Sequence, residues 1–245
     1  MFLKNIEIIR RLQIPSLTLL CLAIIMVLSK KKSQTPSLTP AIISDTIPSP
    51  ETFNDGLPLP KIIAFDLDYT LWPFWVDTHV TPPLKAKDNN TKSIDRWGES
   101  FTFYPDVASI LLSAKSTTPP LTLATASRTS APDIAIALLK QLHLPTASSS
   151  TASSDVGASS KRAYDFFDYV QIFPGDKKTH FARIQKQSGG VAYDEMLFFD
   201  DERRNRNVEG LGVVFWEVPS GVTRAEVDRG VREWRRRKGR EEKEV

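Results

Sequence analysis

Cysteine is nearly absent: Cys21 is the only one in 245 residues. A lone thiol excludes an intrachain disulfide framework and any zinc site built from several cysteines. The three histidines, His79, His143 and His180, are widely spaced and match no metal-ligand pattern. Charge of one sign is also scarce, since 32 basic against 29 acidic residues leave a net charge of +3. Bulk nucleic-acid binding shows as a strong basic excess on one face, so no nucleic-acid partner is expected. No apolar run suits a polytopic membrane protein. What is present is an ordinary globular composition, 41% hydrophobic and 25% charged, at a length for one domain with extensions or two small ones.

Residues 1–32 form a hydrophobic N-terminal segment. Residues 12–29 carry no charge, with Lys4, Arg10 and Arg11 before them and Lys30, Lys31 and Lys32 after. At about 1.5 Å per residue they reach roughly 27 Å, slightly short of a ~30 Å hydrocarbon layer. Gln13, Pro15 and Ser16 weaken the near end. The segment reads as an uncleaved signal anchor giving membrane attachment. A targeting peptide, an upstream extension from a mis-assigned start, or a buried helix are the alternatives. Lysines on both sides leave orientation undecided. Residues 33–60, with Pro36, Pro40, Pro48, Pro50, Pro58 and Pro60, read as a disordered linker. Residues 145–161 are a Ser/Ala-rich insertion that buries too little apolar area to offset ordering entropy, so a surface loop is expected.

The core is expected over 61–240, where short apolar runs alternate with helical patterns. Strands are expected at the run that starts at Lys61, at Leu121–Ala126, Tyr169–Phe173, Met196–Phe199 and Val213–Val218. Helices are expected at Asp106–Lys115, Ala131–Leu142, Lys177 to about Gln187, and Thr223 to about Arg237. Ile134, Leu138, Leu139 and Leu142 share one helix face, as do Val227, Val231 and Trp234 on the last helix. The RRRKGR run that follows reads as a solvated end. The alternation implies an α/β, Rossmann-like, doubly wound parallel sheet. In such sheets ligands bind beyond the carboxyl ends of the strands.

Four of those ends carry polar groups. Asp66 and Asp68 follow the first strand, and two adjacent carboxylates need a proton or a divalent cation to neutralise them. A polar turn is the plainer reading. Ser127 and Arg128 follow the second strand, where a hydroxyl, a cation and free N–H groups suit phosphate, or merely cap a helix. Lys177 opens a helix against the dipole, which a phosphate partner would explain. Asp200 and Asp201 end a buried strand, and hard oxygen ligands in small number suit Mg²⁺.

In this order the four ends resemble the haloacid dehalogenase superfamily. Asp66, Asp68 and Thr70 form its Asp-x-Asp-x-Thr/Val signature, joined by Ser127, Lys177 and Asp200-Asp201. The stretches FDLDYTLWPFWVDTHVTPP, ASRTS, FPGDKKTHF and FFDDERRN are similar to the magnesium-dependent phosphatase-1 family, the fungal-like acid phosphatases. The resemblance covers about Lys61 to Trp234. It implies a Mg²⁺-dependent phosphatase with Asp66 as nucleophile and Asp68 as general acid and base. Lys177 would offset charge on the transferring phosphoryl group, and Ser127 and Arg128 would bind it. It further implies Mg²⁺ held by Asp66, Asp201 and the backbone carbonyl of Asp68, with Thr70 and Asp200 in support. Trp72, Phe74 and Trp75 are either core or part of a flap over the site.

The gaps between motifs hold no full cap domain, so a minimal or absent cap and an open site are expected. Phosphotyrosine, on a small molecule or a protein, and sugar phosphates both suit it. The alternatives are a phosphate- or Mg²⁺-binding module without catalysis and a serine phosphatase of the carboxy-terminal-domain type. Localisation is open, with a cytoplasmic catalytic domain the expectation, tethered if the anchor is real.

Overall fold

A computed structural model describes residues 48–146 and 159–241. The anchor expected at 12–29, most of the linker and the centre of the Ser-rich insertion lie outside the described residues. Among the described residues no helix is long and apolar enough to cross a membrane.

In chain order the elements are β1 (Ile62–Phe65), α1 (Val76–His79), β2 (Lys85–Lys87), β3 (Lys92–Ile94), β4 (Ser100–Phe101), α2 (Val107–Ser116), β5 (Thr122–Ser127), α3 (Pro132–Gln141), β6 (His143–Pro145), β7 (Ser160–Arg162), β8 (Tyr169–Ile172), α4 (Lys177–Gln187), β9 (Met196–Asp200), β10 (Val214–Glu217) and α5 (Arg224–Lys238). Five strands make one parallel sheet in the order β10-β9-β1-β5-β8. The chain winds outward from β1 to β8, then returns across the sheet to β9 and β10. That reversal opens the crevice of a doubly wound fold beyond the carboxyl ends of the central strands.

The apolar runs of the strands have no polar alternation because both faces are covered. Ile63, Phe65, Leu123, Leu197 and Phe199 point to a layer with α2, α3 and α5. Ile62, Ala64, Ala124, Ala126 and Phe198 point the other way, onto Phe181 and Ile184 of α4. On α3, Leu138, Leu139 and Leu142 are buried as expected, while Ile134 is only half-buried and Ala135 takes the inner position. Gly230 lets α5 approach the sheet: a Cβ there would sit 2.7 Å from the Phe199 ring.

The only built structure between the first two motifs, besides α1 and α2, is the three-stranded antiparallel sheet β2-β3-β4. It is a flap rather than a domain, as the short gap predicts. Phe101 of β4 packs edge-on against Phe74 (4.8 Å), which stacks on Trp72 (5.3 Å). The flap is thereby pinned to the segment that follows the first motif.

Two expectations are corrected. Residues 48–60 are not free linker: Thr52 and Phe53 are buried, and the Glu51 and Thr52 N–H groups donate to Asp228 of α5 (3.2 and 2.8 Å). Proline breaks helices and strands, but it does not prevent a strap from lying across a helix. Nor is the RRRKGR run wholly solvated. Arg235 is 3% exposed and donates to the carbonyls of Thr52 (3.1 Å) and Pro58 (2.8 Å) and to both oxygens of Asp55 (2.6 and 2.9 Å).

Candidate active site

The sheet register brings the four expected strand ends together. Asp66 directly follows β1, Ser127 ends β5, Lys177 opens α4 and Asp200 ends β9. β1 lies between β5 and β9, so its carboxylate has one strand end on each side. A cleft of about 270 Å³ there is lined by Asp66, Asp68, Ser127, Arg128, Lys177 and Asp201. Its remaining walls are Trp75, Asp77, Thr129, Glu202, Arg204 and Asn205.

Lys177 explains its own unfavourable place at a helix start. Asp176 caps the helix, accepting from the Lys178 N–H (2.7 Å). The Lys177 ammonium is buried and donates to Asp66 Oδ1 (2.6 Å), pairs with Asp200 Oδ2 (2.8 Å) and donates to the Ala126 carbonyl. Burial alone would lower its pKa, but the Asp66 and Asp200 carboxylates outweigh that and raise it. Two carboxylates thus supply the reason that a phosphate was expected to supply.

One ammonium does not balance the acids around it. Asp66, Asp200 and Asp201 each offer a carboxylate oxygen, all within 4.8 Å of one another. Burial pushes the Asp66 carboxyl well above the usual range, with the charges of Asp200 and Asp68 adding to it and Lys177 opposing. Asp201 is pushed up to about 7 by burial and by the charges of Asp200 and Glu202. Converging hard oxygens of like charge are the donor set of a small divalent cation. Among them Asp201 faces the cleft. Asp200 is already engaged, by Lys177, by the Glu202 N–H (2.8 Å) and by Asn205, whose Nδ2 reaches both its oxygens (2.9 Å each).

Asp68 sits apart from that cluster in chemistry. Its Oδ1 accepts from the Trp72 indole N–H (2.8 Å) and the Val76 N–H (3.3 Å). Burial raises it to about 6 against those two bonds. Thr70 is buried, and its hydroxyl accepts from the Asp201 N–H (3.1 Å), joining the first motif to the last. Tyr69 between them has φ +53°, the left-handed turn that lets the chain double back after the two aspartates.

Trp72 is therefore both core and site, fully buried yet bonded to Asp68. Phe74 is core, and Trp75 is 48% exposed at the rim. His180 is structural: it stacks on Phe173 (3.9 Å), and its Nε2 lies 2.9 Å from both the Ser127 and Phe173 carbonyls. Sequence reasoning assigned no role to Asp77, Glu202, Arg204 or Asn205. Asp77 accepts from the N–H and hydroxyl of Ser130 (3.3 and 2.7 Å), holding α1 beside the loop after β5. Each lies inside a motif stretch, but position within a motif does not say which residues reach the cleft.

The family model described as Acid Phosphatase matches residues 58–237. An HAD-like hydrolase superfamily protein of Schizosaccharomyces pombe is 44% identical over 163 residues, which cover 66% of this chain and 87% of the relative. Magnesium-dependent phosphatase 1 of Homo sapiens is 38% identical over 174 residues, covering 71% of this chain and 86% of that one. The matched span holds all five strands of the parallel sheet and every residue of the carboxylate cluster. The chain belongs to the acid phosphatase family of the haloacid dehalogenase superfamily, the family type of magnesium-dependent phosphatase 1.

Proposed function

We propose that this chain is a Mg²⁺-dependent phosphatase that hydrolyses phosphate monoesters through an aspartyl-phosphate on Asp66. The observation that carries the reading is the contrast between the two aspartates. Burial raises both, but Asp66 is bonded to the Lys177 ammonium and lies in the carboxylate cluster that a cation would hold ionised, whereas the Asp68 carboxyl lies outside that cluster and, raised to about 6, is poised to carry a proton.

Asp66, Asp201 and the backbone carbonyl of Asp68 would hold the cation, and their oxygens are the hard donors it takes. When bound, Mg²⁺ supplies positive charge against the phosphoryl oxygens. A carboxylate oxygen of Asp66 attacks phosphorus. The bond to the ester oxygen breaks, and that oxygen leaves with its electron pair and takes the proton of Asp68. Asp68, now ionised, draws a proton from water, whose oxygen attacks the same phosphorus. The Asp66–phosphorus bond breaks, and Asp66 and inorganic phosphate are released. Ser127 and Arg128 orient the phosphoryl group and Lys177 offsets its charge, which is most of what such a transition state asks of a protein. Among the described residues the cleft has a flap but no cap domain, so phosphotyrosine and sugar phosphates are the substrate classes proposed.

The test is phosphate release by the full chain from p-nitrophenyl phosphate and phosphotyrosine, with Mg²⁺ or with EDTA, beside Asp66→Asn. Mg²⁺-dependent turnover that vanishes in Asp66→Asn is the expected result. Turnover that persists in Asp66→Asn would remove the covalent route.

A further inference from the structure

Asn205 is 2% exposed and lies in the 3-10 turns Arg203–Leu211 that follow the acidic pair. Its Nδ2 donates to both oxygens of Asp200 (2.9 Å each) and reaches Glu202 Oε2 at 3.3 Å. Its Oδ1 accepts from Arg128 Nη1 at 3.0 Å. The two ends of one planar amide thus serve opposite walls of the cleft, the acidic end of β9 and the cationic residue after β5.

The residue type matters as much as the place. Among the described residues Arg128 has no ion pair with a carboxylate, although Asp201 and Glu202 line the same cleft and Asp200 lies on the far side of the Asn205 amide. It is held by a neutral oxygen, which fixes the guanidinium while leaving its charge to an incoming anion. The same amide turns its donor end to Asp200, so that carboxylate is satisfied without a cation from the substrate side. An aspartate would neutralise Arg128 and repel Asp200. An alanine would release both.

We propose that Asn205 is a positioning residue that aims Arg128 at the substrate phosphoryl group while keeping it apart from the acidic wall. This rests on the phosphatase reading above. Asn205→Ala is expected to raise KM about tenfold, and to lower kcat less. The near-isosteric Asn205→Asp is expected to raise KM at least as much, an effect a residue that only fills space would not show. Arg128→Ala should raise KM about tenfold in the natural background and less than twofold beside Asn205→Ala, because the guanidinium is no longer aimed.

Additive effects of the two alanines, or a natural KM in Asn205→Asp, would overturn the inference in an enzyme that still turns over. Should Asn205→Ala not fold, Asn205→Asp takes its place in the cycle. An inactive natural enzyme would count against the phosphatase reading instead. Inorganic phosphate binding, followed by calorimetry in the same four proteins, then decides the inference: coupled losses support it and independent ones refute it.

Discussion

The hydrogen bond from Trp72 to Asp68 tunes the carboxyl proposed as the general acid. A bond donated to a carboxylate favours its charged form, so the indole N–H holds Asp68 below where burial would put it. Trp72→Phe keeps an aromatic ring against Phe74 and Phe103 but removes the donor. The Asp68 carboxyl then rises above about 6, and the alkaline limb of kcat moves to higher pH in the variant; a limb that stays put would break the link between the two residues. Asp68→Asn removes the proposed acid. An alkyl phosphate, whose leaving oxygen must be protonated, should lose about 10²–10⁴-fold in rate. Compared as kcat/KM, which reports phosphoenzyme formation and not the later hydrolysis that also uses Asp68, an aryl phosphate with a stable phenolate should lose much less, and equal losses on both would remove Asp68 from the role of acid.

At the level of elements, Gly230 links the sheet's packing to its chemistry. Alanine is better than glycine in a helix by about 1 kcal/mol. Here a Cβ would strike the Phe199 ring, and overpacking costs about 1–3 kcal/mol. Gly230→Ala should therefore lower the melting temperature, and a gain would show that α5 has room to move. Phe199 precedes Asp200, so activity should fall with stability. The β-α alternation was legible in the sequence because the central strands β9, β1 and β5 are short, largely apolar runs that lead directly into polar groups. α4 begins at Lys177 as expected, since Pro174-Gly175 breaks the chain and Asp176 caps it. The strap at 48–60 was not legible: its proline content describes what it cannot form, while its contacts come from Arg235 and Asp228, distant in sequence. Asn205 and Asp77 were invisible for a related reason. Their roles depend on Arg128 and Ser130, brought near only by the sheet order.

Stability and activity are rooted at opposite ends of the parallel strands. The strap leads into the amino end of β1, away from the carboxylates. Arg235→Ala leaves the buried Thr52 carbonyl, the Pro58 carbonyl and Asp55 without their donor, a loss of about 2–4 kcal/mol. Its kcat below the melting range should stay natural, and a large drop would show that the strap reaches the site. The carboxylate cluster sets the opposite case. Asp201 has a folded pKa of about 7 against an ordinary 3.8, and Asp68 about 6. Between those values the native state binds more protons than the unfolded one, so metal-free stability falls as pH rises from about 4 through about 7. Asp194, Glu195 and Glu233, which ion pairs hold low, are ionised in both states above about pH 5 and add no slope there. His180, lowered by burial, works the other way, gaining stability with pH through its ordinary 6.5, but equally with or without metal. Mg²⁺ favours the ionised carboxylates, so its stabilising effect should be small at pH 5 and grow to pH 8. Melting temperatures in Mg²⁺ and in EDTA across that range test this, with Asp201→Asn expected to shrink the gap between the two curves. Parallel curves would mean that the cluster does not hold the cation.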